Sequence, residues 1–299
     1  MKPSPFHPFR SPQAQREYQA FYMERSKAWP VESETNLLET SSGQTFVRIS
    51  GQSTSPPLVL LPGSQATSLT WIPNIAALSS RYHTYALDSI YDFGLSVRRR
   101  KIKNRENILT WLDEVLTALI PTETINLMGL SYGGWVASQY ALGHSERLHK
   151  LVLLAPAMTV LPVSFSLIFR ALLTRIPFGE FHRKFYYWLL HDAVQSGEPG
   201  QTFVDEALAE WKIAERCFGP MPIIPATILT DKAWQSFQIP VLFMIGESEK
   251  MYPAEKAVSR LNRVAPQIET EVIPQAGHDL TFAQAEMVNG RILDFLESR

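Results

Sequence analysis

Residues Thr124 to Leu142, TINLMGLSYGGWVASQYAL, constrain this chain more than any other stretch. Ile125, Leu127 and Met128 form an apolar run of strand length. After Gly129-Leu130-Ser131-Tyr132-Gly133, the residues Val136, Ala137, Tyr140 and Ala141 recur at helical spacing. Between the two stands G-x-S-x-G, the nucleophile-elbow pattern, which turns a strand into a helix through one tight bend. Such a bend strains the serine backbone, and a β-carbon at Gly129 or Gly133 is expected to collide with the neighbouring strand or helix. The Ser131 hydroxyl is left exposed at the head of a helix, whose amide ends favour negative charge nearby.

The sequence around this elbow alternates strands and helices. Ser11-Pro12 reads as an N-cap and first helical position, opening a helix to about Lys27 that buries Tyr18, Phe21 and Tyr22. Leu37–Thr40 and Thr45–Ile49 read as a hairpin, Pro57–Leu61 as a short buried strand, and Ser68–Ser79 as a helix with Trp71, Ile75 and Leu78 on one stripe. His83–Leu87 is the next strand, with His83 at the surface. The loop Ser89–Asn104 follows, and the six basic residues between Arg98 and Arg105 read as a solvated run rather than an anion grip. Glu106–Ile120 is a helix with Ile108, Trp111, Leu112, Val115 and Leu119 inward, and Leu148–Leu154 is the strand after the elbow helix. The pattern predicts an α/β fold with a mostly parallel sheet covered by helices on both faces. Ligands bind such sheets beyond the carboxyl ends of the strands, where Gly63, Asp88, Ser131 and Ala155 fall.

From about Met158 to Phe237 the alternation stops. The stretch is helical in pattern and rich in aromatics (Phe165, Phe169, Phe178, Phe181, Phe185, Tyr186, Tyr187, Trp188, Trp211), and reads as a helical cap over the strand ends. Most of these rings are expected to hold the cap together; Phe165, Phe169 and Trp188, with Gln65 from the core, are the candidates to line an apolar substrate pocket. Alternation resumes with the strand Pro240–Ile245, the helix Pro253–Val264, the strand Ile268–Ile273 and a closing helix Phe282–Leu296. The expected organisation is an N-terminal helical arm (1–35), a core (36–157 and 238–299) and the cap (158–237).

Composition excludes several function classes. A chain of 299 residues with 45% hydrophobic and 19% charged residues is an ordinary globular one, and a net charge of −1 gives no electrostatic case for nucleic acid. The single cysteine, Cys217, permits no intramolecular disulfide, suggests no metal site, and fits a cytoplasmic, reducing setting. The sequence shows no secretory signal and no membrane-spanning run.

A serine hydroxyl is a poor nucleophile until a base takes its proton, and that base works best when a carboxylate fixes its tautomer. With the order serine, acid, histidine along the chain, His278 stands after the last core strand in an Ala-Gly-His loop, where the base belongs. His7, His83, His144, His149, His182 and His191 lack that context. Two carboxylates, Glu247 and Glu249, follow the strand ending at Ile245; Glu249 matches the usual acid position, and Glu247 reads as a turn residue. The oxyanion needs two backbone N–H donors: Tyr132, directly after the serine, and Ser64 in Pro62-Gly63-Ser64, with Gln65 as its competitor.

Beyond these residues, the stretch from Trp71 to Asp88 (W-x-P-N-x-A-x-L-S-x-x-Y-x-T-Y-A-x-D), GESEKMYP, and EVIPQAGHDL from Glu271 to Leu280 carry a wider likeness. The chain resembles an alpha/beta hydrolase from Leu37 to Phe295, and is similar to small bacterial carboxylesterases of the naproxen-esterase kind. In those a glutamate also stands at the position of Glu249. Pro62 departs from the many members of the wider family that have histidine there, without removing the donors after Gly63.

The resemblance implies a cofactor-free serine hydrolase acting on a small ester-like molecule, as a monomer or homodimer. A serine at the elbow argues against the carboxylate-nucleophile chemistry of dehalogenases and epoxide hydrolases. Thioesterase, lactonase, carbon–carbon bond hydrolase and acyltransferase activities use the same constellation; a non-catalytic binding protein on this fold is the alternative of another class.

Overall fold

The runs PLVLL, INLMGL and VLFMIG are buried along their whole length, as strands covered on both faces must be. In a computed structural model, which describes residues 6–174, 176, 180–222 and 224–298, these runs are β3 (Pro57–Leu61), β6 (Ile125–Leu130) and β8 (Val241–Gly246). With β1 (Glu34–Thr40), β2 (Gly43–Ser50), β4 (His83–Leu87), β5 (Val97–Arg98), β7 (Leu148–Leu154) and β9 (Glu269–Ile273), they make one sheet. The order is β1-β2-β4-β3-β6-β7-β8-β9, with β5 beside β2. The pairs β1–β2, β2–β4 and β2–β5 are antiparallel; from β4 to β9 every pair is parallel.

Side-chain alternation along the strands divides the core in two. Val59, Leu61, Leu127, Leu151 and Leu153 face α3 (Arg105–Leu119), α4 (Tyr132–Gly143) and α10 (Ala254–Val264). Leu58, Leu60, Met128, Val152 and Leu154 face α1 (Pro12–Ser26), α2 (Ile72–Ser79), α8 (Glu198–Cys217) and α12 (Ala285–Glu297). Ser11 caps α1 through the Ala14 N–H at 3.1 Å, and Asn104 caps α3 through the Asn107 N–H at 3.1 Å.

Between β7 and β8 lie α5 (Phe165–Leu173), α6 (Phe181–Leu189), α7 (His191–Gln195), α8 and α9 (Asp231–Gln235). The ends of this stretch are built into the core rather than set over it: Val160, Ala226, Leu229, Trp234 and Phe237 join the α3–α4–α10 cluster. The N-terminal arm is likewise no free appendage. Its Phe9 bridges Phe218, and its Tyr18 hydroxyl and Arg25 guanidinium both reach the buried Glu210 of α8.

The structure differs from the sequence reading in several places. Val97–Arg98 is a short strand inside the expected loop, and Arg98 is buried rather than solvated, because its guanidinium donates to Pro220 O at 2.8 Å. The helix at Ser68 begins as a 3₁₀ turn, Ser68–Trp71, before α2. The closing helix is broken at Gln284 into α11 (Leu280–Ala283) and α12. On α3 the fully buried position near the C-terminus is Leu116, with Leu119 only partly buried. His83 is half-buried, 2.8 Å from the Tyr85 hydroxyl. Phe178 lies outside the described residues.

Candidate active site

The elbow is built by exclusion. Ser131 has φ 51° and ψ −117°, a conformation L-residues rarely adopt. Its N–H donates to Leu154 O at 2.9 Å, and its carbonyl accepts from Trp135 N at 3.1 Å and Ala157 N at 2.9 Å. A β-carbon at Gly129 would stand 2.3 Å from Gly133 O, and one at Gly133 only 2.4 Å from Leu61 O and Pro62 O. Both glycines are required because strand end and helix start nearly touch. The candidate oxyanion loop after β3 comes as close: a β-carbon at Gly63 would lie 3.3 Å from Ser131 Cβ and 3.9 Å from its Oγ.

The β8 and β9 loops converge by the same means. A β-carbon at Gly246 would meet Gly277 O at 2.3 Å, and the N–H groups of Glu247 and Ser248 donate to Ile273 O and Ala276 O, each at 2.9 Å. This tie brings Glu249 to His278. The His278 Nδ1 to Glu249 Oε2 distance is 2.9 Å, and Glu249 Oε1 accepts the N–H groups of Lys250 and Met251 at 2.8 Å each. The Glu249 side chain is fully buried, whereas Glu247 is exposed and accepts the Gln275 N–H at 3.3 Å. Burial draws the His278 imidazole down, but the charge and hydrogen bond of Glu249, helped by Asp279, leave it above the ordinary histidine value. The Ser131 hydroxyl makes no hydrogen bond among the described residues, including to His278; such bonds are often open before substrate arrives.

The two candidate oxyanion donors after Gly63 are in different states. The Gln65 N–H is bound to Asp92 Oδ2 at 2.8 Å, with Gln65 in the left-handed region at φ 58°. The Ser64 N–H has no hydrogen-bond partner among the described residues, while its hydroxyl lies 3.3 Å from the same Asp92 oxygen. Tyr132 N–H is the first of α4 and so one of the donors that a helix start leaves open.

Sequence reasoning missed the groups that hold these loops. Asp92 is buried behind the oxyanion loop and also accepts the Phe93 N–H at 2.8 Å; burial pushes its carboxyl up to about 6, against the lowering effect of its backbone donors. Asp279 Oδ1 accepts the Gly277 N–H at 3.0 Å and Oδ2 the Ala193 N–H of α7 at 2.6 Å, while Asp192 of α7 takes the Ser248 hydroxyl. Helix α7 thus fastens both the Glu249 and the His278 loop. Asp279 was adjacent to His278 in the sequence; nothing local marked Asp92 or Asp192. Asp88, at a strand end as expected, does not open to the mouth: it is fully buried, accepting from Ser68 N and Leu95 N at 2.8 Å each and from the Tyr22 hydroxyl at 3.3 Å.

A cavity of about 890 Å³ runs under α5, α6 and α8 and meets the oxyanion loop at Gln65; Ser131 itself is not among its walls. Its aromatic walls are Phe93, Phe181, Phe185, Tyr186, Trp211 and Phe218. Gln65 is thus one of its walls, whereas Phe165, Phe169 and Trp188 are not. Phe165 and Phe169 point outward from α5, 80% and 53% exposed, and Trp188 packs under the Arg170 guanidinium at 4.7 Å. Their positions on short amphipathic helices decide which side each ring takes, and the sequence stretch alone left that undecided.

The model of the alpha/beta hydrolase family matches residues 58–291. The chain belongs to the alpha/beta hydrolase family. It is 34% identical over 282 residues to the carboxylesterase YbfK of Bacillus subtilis, covering 94% of this chain and 93% of that one. The crystal structure of naproxen esterase from the same organism superposes with a TM-score of 0.85 at 32% identity, covering 96% of this chain and 99% of the other. The structure of the Bacillus carboxylesterase CesB gives 0.83 at 29% identity, over 95% and 99%. This alpha/beta hydrolase is thus an enzyme with esterases as relatives over nearly its whole length.

If Asp92 holds the oxyanion loop, Asp92→Asn in this hydrolase should lower kcat at least about tenfold with little change in KM, because the amide has a single acceptor oxygen for donors that now use two. Steady-state kinetics on any turned-over substrate checks this.

Proposed function

We propose that this hydrolase cleaves carboxylic esters of small to medium apolar substrates through an acyl-enzyme intermediate. In this reading Ser131 Oγ attacks the ester carbonyl carbon while His278 Nε2 takes the hydroxyl proton. Glu249 holds His278 by its Nδ1–H and stabilises the imidazolium that forms. The N–H groups of Tyr132 and Ser64 receive the negative charge on the carbonyl oxygen. The proton passes from His278 to the departing alkoxide, and water, activated by the same base, then releases the acid and frees Ser131. The observation that carries the reading is the 2.9 Å contact of His278 Nδ1 with the buried Glu249, reached in the order elbow serine, acid, histidine. Supporting it, the Gln65 N–H is occupied by Asp92, which leaves Ser64 as the open donor beside Gly63. The aromatic cavity fits an apolar acyl or alcohol portion, and we read residues 158–237 as its cap. Cys217, buried and alone, accords with a cytoplasmic setting.

Hydrolysis of p-nitrophenyl esters from acetate to laurate should be lost in Ser131→Ala, with a chain-length optimum set by the cavity. Full activity in that variant would overturn the assignment of the nucleophile.

His278 must be neutral to accept a proton, and its value is raised. Activity should therefore be present at high pH and fall as the pH drops through a value above 6.5. In Glu249→Gln the stabilising charge is gone, so that acidic limb should move to lower pH while kcat drops at least about a hundredfold. A kcat/KM profile of both proteins measures the two effects together.

A further inference from the structure

Helix α5 exposes apolar side chains where a globular protein normally hides them. Phe165, Ile168, Phe169 and Leu172, at positions i, i+3, i+4 and i+7, are 80%, 45%, 53% and 54% exposed, and together make one outward stripe. No other described element covers it. The surroundings are basic. Between Leu161 and Leu190 the sequence carries Arg170, Arg175, Arg183 and Lys184 against a single carboxylate, Glu180, in a chain whose net charge is −1. Arg175 lies outside the described residues. The other three cations rest on aromatic rings: Arg170 on Trp188 at 4.7 Å, Arg183 on Tyr187 at 4.4 Å and Lys184 near Phe181 at 5.6 Å. Among carboxylates of the packed helix α8, Asp205 is engaged by the Tyr187 hydroxyl at 2.8 Å, and Glu215 lies near His182.

We propose that the outer stripe of α5, with the basic edge of α6, docks on an anionic lipid surface. An apolar stripe flanked by aromatic rings and cations matches the boundary between acyl chains and anionic headgroups. A second copy of the chain fits less well. The four side chains leave on the order of 400 Å² exposed, about half of the ~800 Å² per partner in a stable interface. A two-fold contact would also bring the same basic residues against one another. No described helix is long and apolar enough to cross a membrane, so the contact is peripheral. The cavity borders the same helix, since Ala171 and the C-cap Thr174 form part of its wall. On the esterase reading, an apolar ester dissolved in the surface would then enter beside α5 without crossing bulk water; the docking itself requires no catalysis.

The test is co-sedimentation of the full chain with vesicles of mixed phosphatidylcholine and phosphatidylglycerol, compared with phosphatidylcholine alone. The wild-type protein should bind the mixed vesicles more strongly, and less as salt is raised. Ile168→Asp with Leu172→Asp should weaken binding at least about tenfold while leaving hydrolysis of a water-soluble short ester unchanged. Should that variant fail to fold, Lys184→Glu should still reduce the dependence on phosphatidylglycerol. Absence of binding, or binding unaltered by these substitutions, would overturn the proposal. So would a wild-type dimer that the double substitution converts to a monomer with no vesicle binding, and either result is independent of whether Ser131 is the nucleophile.

Discussion

The mouth of this enzyme depends on one steric condition, the near contact between the start of α4 and the end of β3. With Gly133 packed where a β-carbon would stand 2.4 Å from Leu61 O and Pro62 O, the helix begins directly against the strand. Ser131 is then held at φ 51° by the fixed ends on either side, not by its own preference. The same closeness lets Gly63 pass beside the serine, so that an open amide and the hydroxyl share one small volume. Strain here costs about one to three kcal/mol, offset by the fully buried strands that flank it.

Around that contact, buried carboxylates act as fasteners. Asp92 fixes the loop at Gln65, Asp88 ties the loop after β4 to α1 and the 3₁₀ turn at Ser68, and Glu210 joins α1, α8 and Thr67. Asp192 and Asp279 fasten α7 to the loops carrying Glu249 and His278. The helices inserted after β7 are therefore mechanically joined to the loops of His278 and Glu249, while α5 remains at the outer edge with its apolar stripe uncovered. One segment thus contributes rigidity at one end, a cavity wall in the middle and an exposed surface at the other.

Much of this was legible in the sequence, for a physical reason. The elbow, the strands β3, β4 and β6 to β9 and the Glu249–His278 pair are specified by short-range patterns: glycines that permit close approach, apolar runs of strand length, and loops that follow strand ends. The preference for Glu249 over Glu247 rests on the usual acid position in the turn after the strand, because residues two apart leave a strand on the same side. What escaped depends on contacts between distant residues. Gln65 meets Asp92 across 27 positions and Ala193 meets Asp279 across 86, and no local signal marks such partners. The aromatic stretch gave the wrong rings for the cavity because Phe165 and Phe169 sit on the outer side of α5, while Phe181, Tyr186 and Trp211 turn inward. Arg98 likewise belongs by composition to a solvated basic run, yet two residues of strand pairing pull it into the interior.

The most direct test of the nucleophile assignment is covalent. Incubation with a fluorophosphonate, followed by peptide mass mapping, should yield one adduct, on Ser131, because only an activated serine displaces fluoride from phosphorus. An unmodified protein, or an adduct at any other residue, would contradict the assignment of Ser131, Glu249 and His278.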